Sequence, residues 1–123
     1  MQTGLADFVD ISLWDCFKEA SDEQFAGRQL IDLFTEIPRG ETRLCVAGKI
    51  YSAADAKRCL DLGADLVAIG RAAITNHDFA RSACKDSDFV MRELPVTREI
   101  LQSEGLSQSF VEYMSKWNGF VAD

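Results

Sequence analysis

An α/β fold of three consecutive β-α units followed by a helical tail is what this chain of 123 residues predicts. Three observations carry that expectation. Apolar runs of strand length recur at 7–13, 43–47 and 65–69, a helix-sized amphipathic segment follows each, and the last third shows no strand pattern. Parallel strands need a crossover of about a dozen residues, usually a helix, so strand–helix–strand spacing implies that the strands leave their carboxyl ends on one edge of a sheet.

The first strand, Asp7 to Leu13, alternates apolar and polar residues and is bounded upstream by Gly4. Ala26, Leu30, Leu33, Phe34 and Ile37 have helical spacing, and the helix they predict ends before Pro38-Arg39-Gly40. The second strand is Arg43 to Ala47. Its helix runs from Ser52 to Leu62, opened by Ser52-Ala53-Ala54-Asp55 as a weak capping box, with Ala53, Ala56, Cys59 and Leu60 as its buried stripe. Gly63 is placed to close it in a left-handed conformation. The third strand, Asp65 to Ile69, leads to a helix start at Thr75-Asn76-His77-Asp78, with Phe79, Ala80, Ala83 and Cys84 behind it. In the tail, Thr97 caps a short helix stopping at Gly105, and Ser107 caps another whose Phe110, Val111, Met114 and Trp117 share a face.

Composition narrows the function classes. With 47% hydrophobic residues the chain can bury a core. A formal charge of −7 argues against a nucleic-acid or acidic-membrane partner. No apolar stretch approaches the roughly 20 residues of a membrane span. The start Met1-Gln2-Thr3-Gly4 lacks the pattern of a signal peptide, so a cytoplasmic location is expected. The four cysteines, Cys16, Cys45, Cys59 and Cys84, form no C-x-x-C pair, and His77 has no cysteine at metal spacing, so the thiols read as structural.

The chemistry is concentrated at two strand ends. Leu44-Cys45-Val46-Ala47-Gly48-Lys49 and Leu66-Val67-Ala68-Ile69-Gly70-Arg71 each stop at a glycine and a cation, with the glycines 22 positions apart. Ligands of α/β sheets and barrels bind beyond the carboxyl ends of the strands. Glycine there lets the backbone approach an anion, and Lys49 and Arg71 supply positive charge, so a phosphate is the expected occupant. Each glycine also reads simply as a turn. Arg71 also reads as an ion-pair partner of Asp65 or Asp78, and Lys49 as a solvated charge.

Three parallel strands are too few to stand alone, because such sheets are normally covered on both faces and flanked by neighbours. A complete (β/α)8 barrel takes about 250 residues. The expectation is therefore a fragment, or a chain that completes its sheet with a partner.

The residues resemble the old yellow enzyme family, FMN-dependent NAD(P)H:flavin oxidoreductases built on a TIM barrel. Asp7-Phe8-Val9-Asp10-Ile11-Ser12 is similar to the family's sixth strand, Val46-Ala47-Gly48-Lys49-Ile50 to the seventh, and Ala64-Asp65-Leu66-Val67-Ala68-Ile69-Gly70-Arg71-Ala72 to the eighth. The stretch from Val96-Thr97-Arg98-Glu99 through Gly105-Leu106-Ser107 to Gly119-Phe120-Val121 resembles the tail of some bacterial members. The resemblance implies a partial TIM barrel, with residues 1–86 as its last three β-α units and 87–123 as a helical C-terminal extension. It further implies that Ala47, Gly48, Lys49, Gly70 and Arg71 bind the FMN phosphate, with NAD(P)H as reductant in the complete enzyme. Many relatives carry glycine or asparagine where Lys49 stands, and proline where His77 stands.

The family's flavin-ring contacts, substrate-orienting histidine pair and proton-donating tyrosine lie on earlier strands, so no residue here is expected to be catalytic. The implied partners are FMN and the missing N-terminal barrel half, or a second copy pairing through open strand edges. Two further readings stand beside the oxidoreductase segment: a non-catalytic remnant or self-associating module with weak anion binding, and a different phosphate-binding half barrel, against which the tail speaks. Trp14 and Phe17 follow the first strand and read as rim packing or as a flavin or substrate contact. Asp61/Asp65 and Asp86/Asp88 read as solvated turns.

Overall fold

Strand β2 (Arg43–Ala47) is the centre of a three-stranded sheet ordered β1-β2-β3, flanked by β1 (Phe8–Ser12) and β3 (Leu66–Ala68). Both pairings are parallel, with Val9 beside Leu44, Ile11 beside Val46, and Val46 beside Val67. The fold is thus α/β, with one open sheet and several helices. In this computed structural model residues 6–122 are described; the Met1–Gly4 start and the Gly4 boundary of the first strand lie outside them. The chain forms two compact units, Met1–Ile50 with Ala54–Gly70, and Tyr51–Ala53 with Arg71–Asp123.

In the first unit, side-chain alternation sorts the sheet into two unlike faces. Ile11, Leu44, Val46 and Val67 pack under Ile31 and Phe34 of α1 (Leu30–Thr35) and under Ala56 and Cys59 of α2 (Ala53–Asp61). Both helices therefore cover the same face. The other carries Phe8 and Arg43, then Asp10, Cys45 and Leu66, then Ser12, Ala47 and Ala68. No helix among the described residues of this unit covers it, and Phe8 and Leu66 are 57% and 42% exposed.

The register of β2 against β3 is set at their amino ends. Asp65 donates its N–H to the Leu44 carbonyl (2.9 Å), and its Oδ2 accepts the Leu44 N–H (2.8 Å). Arg39 binds the same oxygen at 3.1 Å and also donates to the Gly63 and Thr35 carbonyls. Asp65 is thus a structural clamp and not the solvated turn residue that its neighbours implied. The Leu44 N–H holds its carboxyl below the usual range, against some desolvation, with Arg39 adding to the effect. Asp61 does fit the solvated reading, paired with Lys57 on the surface of α2.

Several expected elements differ in detail. Ala26 lies outside the first helix: it closes a 3-10 turn at Glu23–Phe25, capped by Asp22, and Gly27 at φ +78° follows it before α1 begins. The helix restarts where Asp32 Oδ2 accepts the Gln29 N–H. In α2, Cys59 is buried but Leu60 is exposed, because one residue turns the helix by about 100°. Gly63 takes φ +103°, as a left-handed helix stop requires.

Among its described residues the second unit holds four short helices: α3 (Arg71–Thr75), α4 (Phe79–Lys85), α5 (Arg98–Ser103) and α6 (Gln108–Met114). The sequence pattern gives no sign of α3, which starts directly after Gly70. Thr97 and Ser107 cap α5 and α6 as expected, accepting the N–H groups of Ile100 and Phe110. The core is Val96, Leu101, Val111, Met114 and Phe120. Of the expected α6 stripe, Val111 and Met114 are buried, whereas Phe110 and Trp117 are partly exposed. The chain end is tied back by Val96 N–H to the Phe120 carbonyl (3.0 Å) and Ala122 N–H to the Val96 carbonyl (2.8 Å).

Gly48 generates the clearest stability prediction. At φ +146°, a Cβ there would lie 2.2 Å from the Leu13 carbonyl oxygen. Gly48→Ala combines a left-handed backbone cost with a clash against main chain, and should lose about 2–4 kcal/mol. A denaturant melt within about 0.5 kcal/mol of the unaltered chain would show that this approach is not rigid.

Candidate functional site

Parallel pairing places Ala47 beside Ala68, so β2 and β3 end together on one edge of the first unit. Neighbouring strands run about 4.8 Å apart, so the Gly48-Lys49 and Ile69-Gly70 exits start from adjacent positions on that edge. Ala47 and Gly48 are half-buried, whereas Lys49 and Gly70 are exposed.

The two glycines differ physically. Gly48 is required by the fold: the loop after β1 crosses it, with Leu13 N–H donating to the Ala47 carbonyl (2.8 Å) and Cys16 N–H to the Gly48 carbonyl (3.3 Å). Gly70 has no such reason. Its φ is not in the positive range, and a Cβ on it would meet nothing within 4 Å. Lys49 has φ +50°, a conformation suited to glycine or asparagine, and its Nζ pairs with Asp15 Oδ2 at 3.1 Å. Desolvation lifts the Asp15 carboxyl, but the hydrogen bond and charge of Lys49, with the Phe17 and Lys18 N–H groups, bring it below its usual value. The Lys49 side chain is therefore engaged by an acid that the sequence did not single out; Asp15 sits 34 positions away with no spacing signal.

Arg71 follows Gly70 by one peptide bond and opens the second unit. Its Nη1 donates to the Tyr51 hydroxyl at 3.3 Å, and its Cζ lies 5.6 Å from the centroid of the Trp117 ring. The suggested partners Asp65 and Asp78 are engaged elsewhere, by Arg39 and by the Ser82 hydroxyl. Neither Tyr51 nor Trp117 was legible as a neighbour of Arg71, since Trp117 reads as part of a helix stripe.

The remaining singled-out residues fall into structural places. Phe17 packs on the core with the Arg58 guanidinium 4.4 Å above its ring, while Trp14 is largely exposed. Cys16 and Cys59 are fully buried with their sulfurs 3.8 Å apart; burial pushes both thiols up, Cys59 to about 12, so neither is a nucleophile near neutral pH. Cys45 is buried and its thiol raised by desolvation and by Asp10, whereas Cys84 is exposed. Among the described residues no grouping of His, Cys, Asp and Glu is arranged to hold a metal ion, and no helix is long and apolar enough to cross a membrane.

A cleft of about 550 Å³ lies at the opposite rim, between Asp7, Phe8, Arg39, Thr42, Arg43 and Leu66. It borders the amino ends of the strands and the uncovered face, where sheets of this type do not place their ligands.

His77 belongs to a separate node in the second unit. Its Nδ1 is 2.6 Å from Glu104 Oε2, its N–H donates to the same oxygen at 2.8 Å, and Arg92 binds both Oε1 and the Thr75 carbonyl. The Glu104 side chain is 7% exposed. Desolvation opposes its ionisation, yet the His77 and Arg92 hydrogen bonds outweigh it and lower the carboxyl to about 2 from an ordinary 4.5. A carboxyl lowered by folding stabilises the fold fully above its unfolded value and loses that contribution as pH falls. Unfolding free energy should therefore decline between pH 4.5 and about 2. Glu104→Gln should flatten that limb in denaturant titrations; an unchanged slope would remove Glu104 from the acid response.

Comparisons with family models, with curated proteins and with solved structures return no match to this chain.

Proposed function

We propose that this chain is the C-terminal phosphate-binding segment of an FMN-dependent NAD(P)H oxidoreductase of the old yellow enzyme type, its three β-α units equivalent to the last three of a TIM barrel. The observation that carries the reading is the pairing of Ala47 with Ala68, which sends Gly48-Lys49 and Gly70-Arg71 out from adjacent parallel strands. Gly70 supports it independently, since neither backbone conformation nor packing asks for glycine there, and open space above it suits a phosphate drawn against the main chain. The one-sided sheet supports the barrel: in such folds helices lie outside and strand side chains fill the interior. Here α1 and α2 share one face, and Phe8, Cys45 and Leu66 lie on the other.

In this reading Ala47, Gly48, Lys49 and Gly70 contribute main chain, and Arg71 contributes its planar fork of donors. Lys49 acts through its backbone, because its ammonium is engaged by Asp15. Bound FMN would supply the hydride-carrying ring. This segment grips the phosphate end, and none of its residues takes a catalytic role.

A second reading, a truncated remnant or self-associating module with weak anion binding, is favoured by the exposed Phe8 and Leu66 and by two unpaired sheet edges among the described residues of the first unit. Size-exclusion chromatography of the isolated chain should then show an oligomer or aggregate; a well-behaved monomer counts against it. The coding region directly upstream decides whether five further β-α units precede residue 1.

The phosphate reading is tested by titrating FMN into the chain. Arg71→Ala should weaken binding at least about tenfold, as loss of a charged hydrogen-bond donor does. Gly70→Ala should leave the melting temperature unchanged while weakening FMN, because its Cβ enters space that packing does not use. Unchanged FMN affinity in both variants would end the assignment.

A further inference from the structure

We propose that Trp117 and Tyr51 are positioning residues that hold the Arg71 guanidinium ready for the phosphate monoester; this rests on the phosphate reading above. The three residues belong to the second unit and come from distant parts of the chain. Trp117 offers its ring face to the Arg71 Cζ at 5.6 Å, and Tyr51 accepts an Nη1 hydrogen bond at 3.3 Å. A guanidinium held over an aromatic ring and hydrogen-bonded through one nitrogen is confined in direction, and its planar fork is the geometry a phosphate accepts. An arginine already confined to one orientation loses less freedom on binding than one on a mobile stem.

Both props are themselves held. The Trp117 ring packs edge-on against Phe120, which is buried, and against Tyr113, at centroid distances of 6.4 and 6.1 Å. Gly119 at φ +72° turns the chain between Trp117 and Phe120, and hydrogen bonds to Val96 fasten Phe120 and Ala122 beyond that turn. Tyr51 is fixed through its carbonyl, which accepts the Met91 N–H at 2.8 Å, and Ser52 bridges to Val90. A cleft of about 290 Å³ between Arg71, Leu94, Trp117, Asn118 and Gly119 leaves open space beside the cation.

The test compares FMN with riboflavin, which lacks the phosphate, by flavin fluorescence titration of the full chain. Trp117→Ala and Tyr51→Phe should each weaken FMN about threefold to tenfold, the usual range for one cation–π contact or one hydrogen bond. Riboflavin binding should not change, Trp117→Phe should recover most of the loss, and Trp117→Ala should add nothing in an Arg71→Ala background. Equal weakening of both flavins, additive losses, or unchanged FMN affinity in Trp117→Ala and Tyr51→Phe would overturn the positioning role while Arg71→Ala still lowers FMN affinity. Tyr51→Phe removes a single hydroxyl, so it gives an answer even if Trp117→Ala fails to fold. If the unaltered chain does not prefer FMN to riboflavin, or Arg71→Ala binds FMN normally, the phosphate reading itself falls and takes this one with it.

Discussion

The two hydrogen bonds between Asp65 and Leu44 govern the geometry of the candidate site. A parallel pair slipped by one residue would turn every side chain of β3 to the wrong face, burying Leu66 and Ala68 in place of Val67. β3 is only three residues long, so its own ladder bonds specify register weakly. A carboxylate fixed at the amino end by Leu44 and Arg39 supplies the missing specification. With register set there, Ala47 and Ala68 are level at the carboxyl ends, and Gly48 and Ile69 are the first residues to leave the sheet.

Residues that look alike in sequence have unlike causes. Gly48 satisfies a steric demand from the Leu13 main chain, whereas Gly70 satisfies none within the fold. The cations divide in the same way. Lys49 accepts a left-handed backbone costing roughly 1 kcal/mol, offset in part by an exposed ion pair of similar size. Arg71 lies against an aromatic ring and a phenol hydroxyl. Of the two glycines, one is thus demanded by the fold and the other is not.

The second unit shows how a short helical segment becomes rigid without long helices. Its four helices are five to seven residues each, too short to be stable alone. Side-chain caps at Thr97 and Ser107, a core centred on Leu101, Val111 and Met114, and the Glu104 node supply the order. Arg92 gathers the carboxyl end of α3 and the end of α5, while His77 adds the start of α4 to the same carboxylate.

Strand positions, the parallel α/β class, the helix caps at Thr97 and Ser107 and the stop at Gly63 were legible in the sequence, because each arises from alternation or from the local chemistry of one or two residues. The strand-end glycines were legible too, since chain direction alone sends both to one edge. Lys57–Asp61 could be read as a surface pair from helical spacing, but Asp15–Lys49, Leu44–Asp65 and Arg71–Trp117 join residues separated by 34, 21 and 46 positions, and no periodicity relates them. Helix α3, the exposure of Leu60 and the different steric surroundings of Gly48 and Gly70 were decided by tertiary packing. Those outcomes depend on which backbone passes within a few ångströms of which, a distance that exists only once the chain has folded.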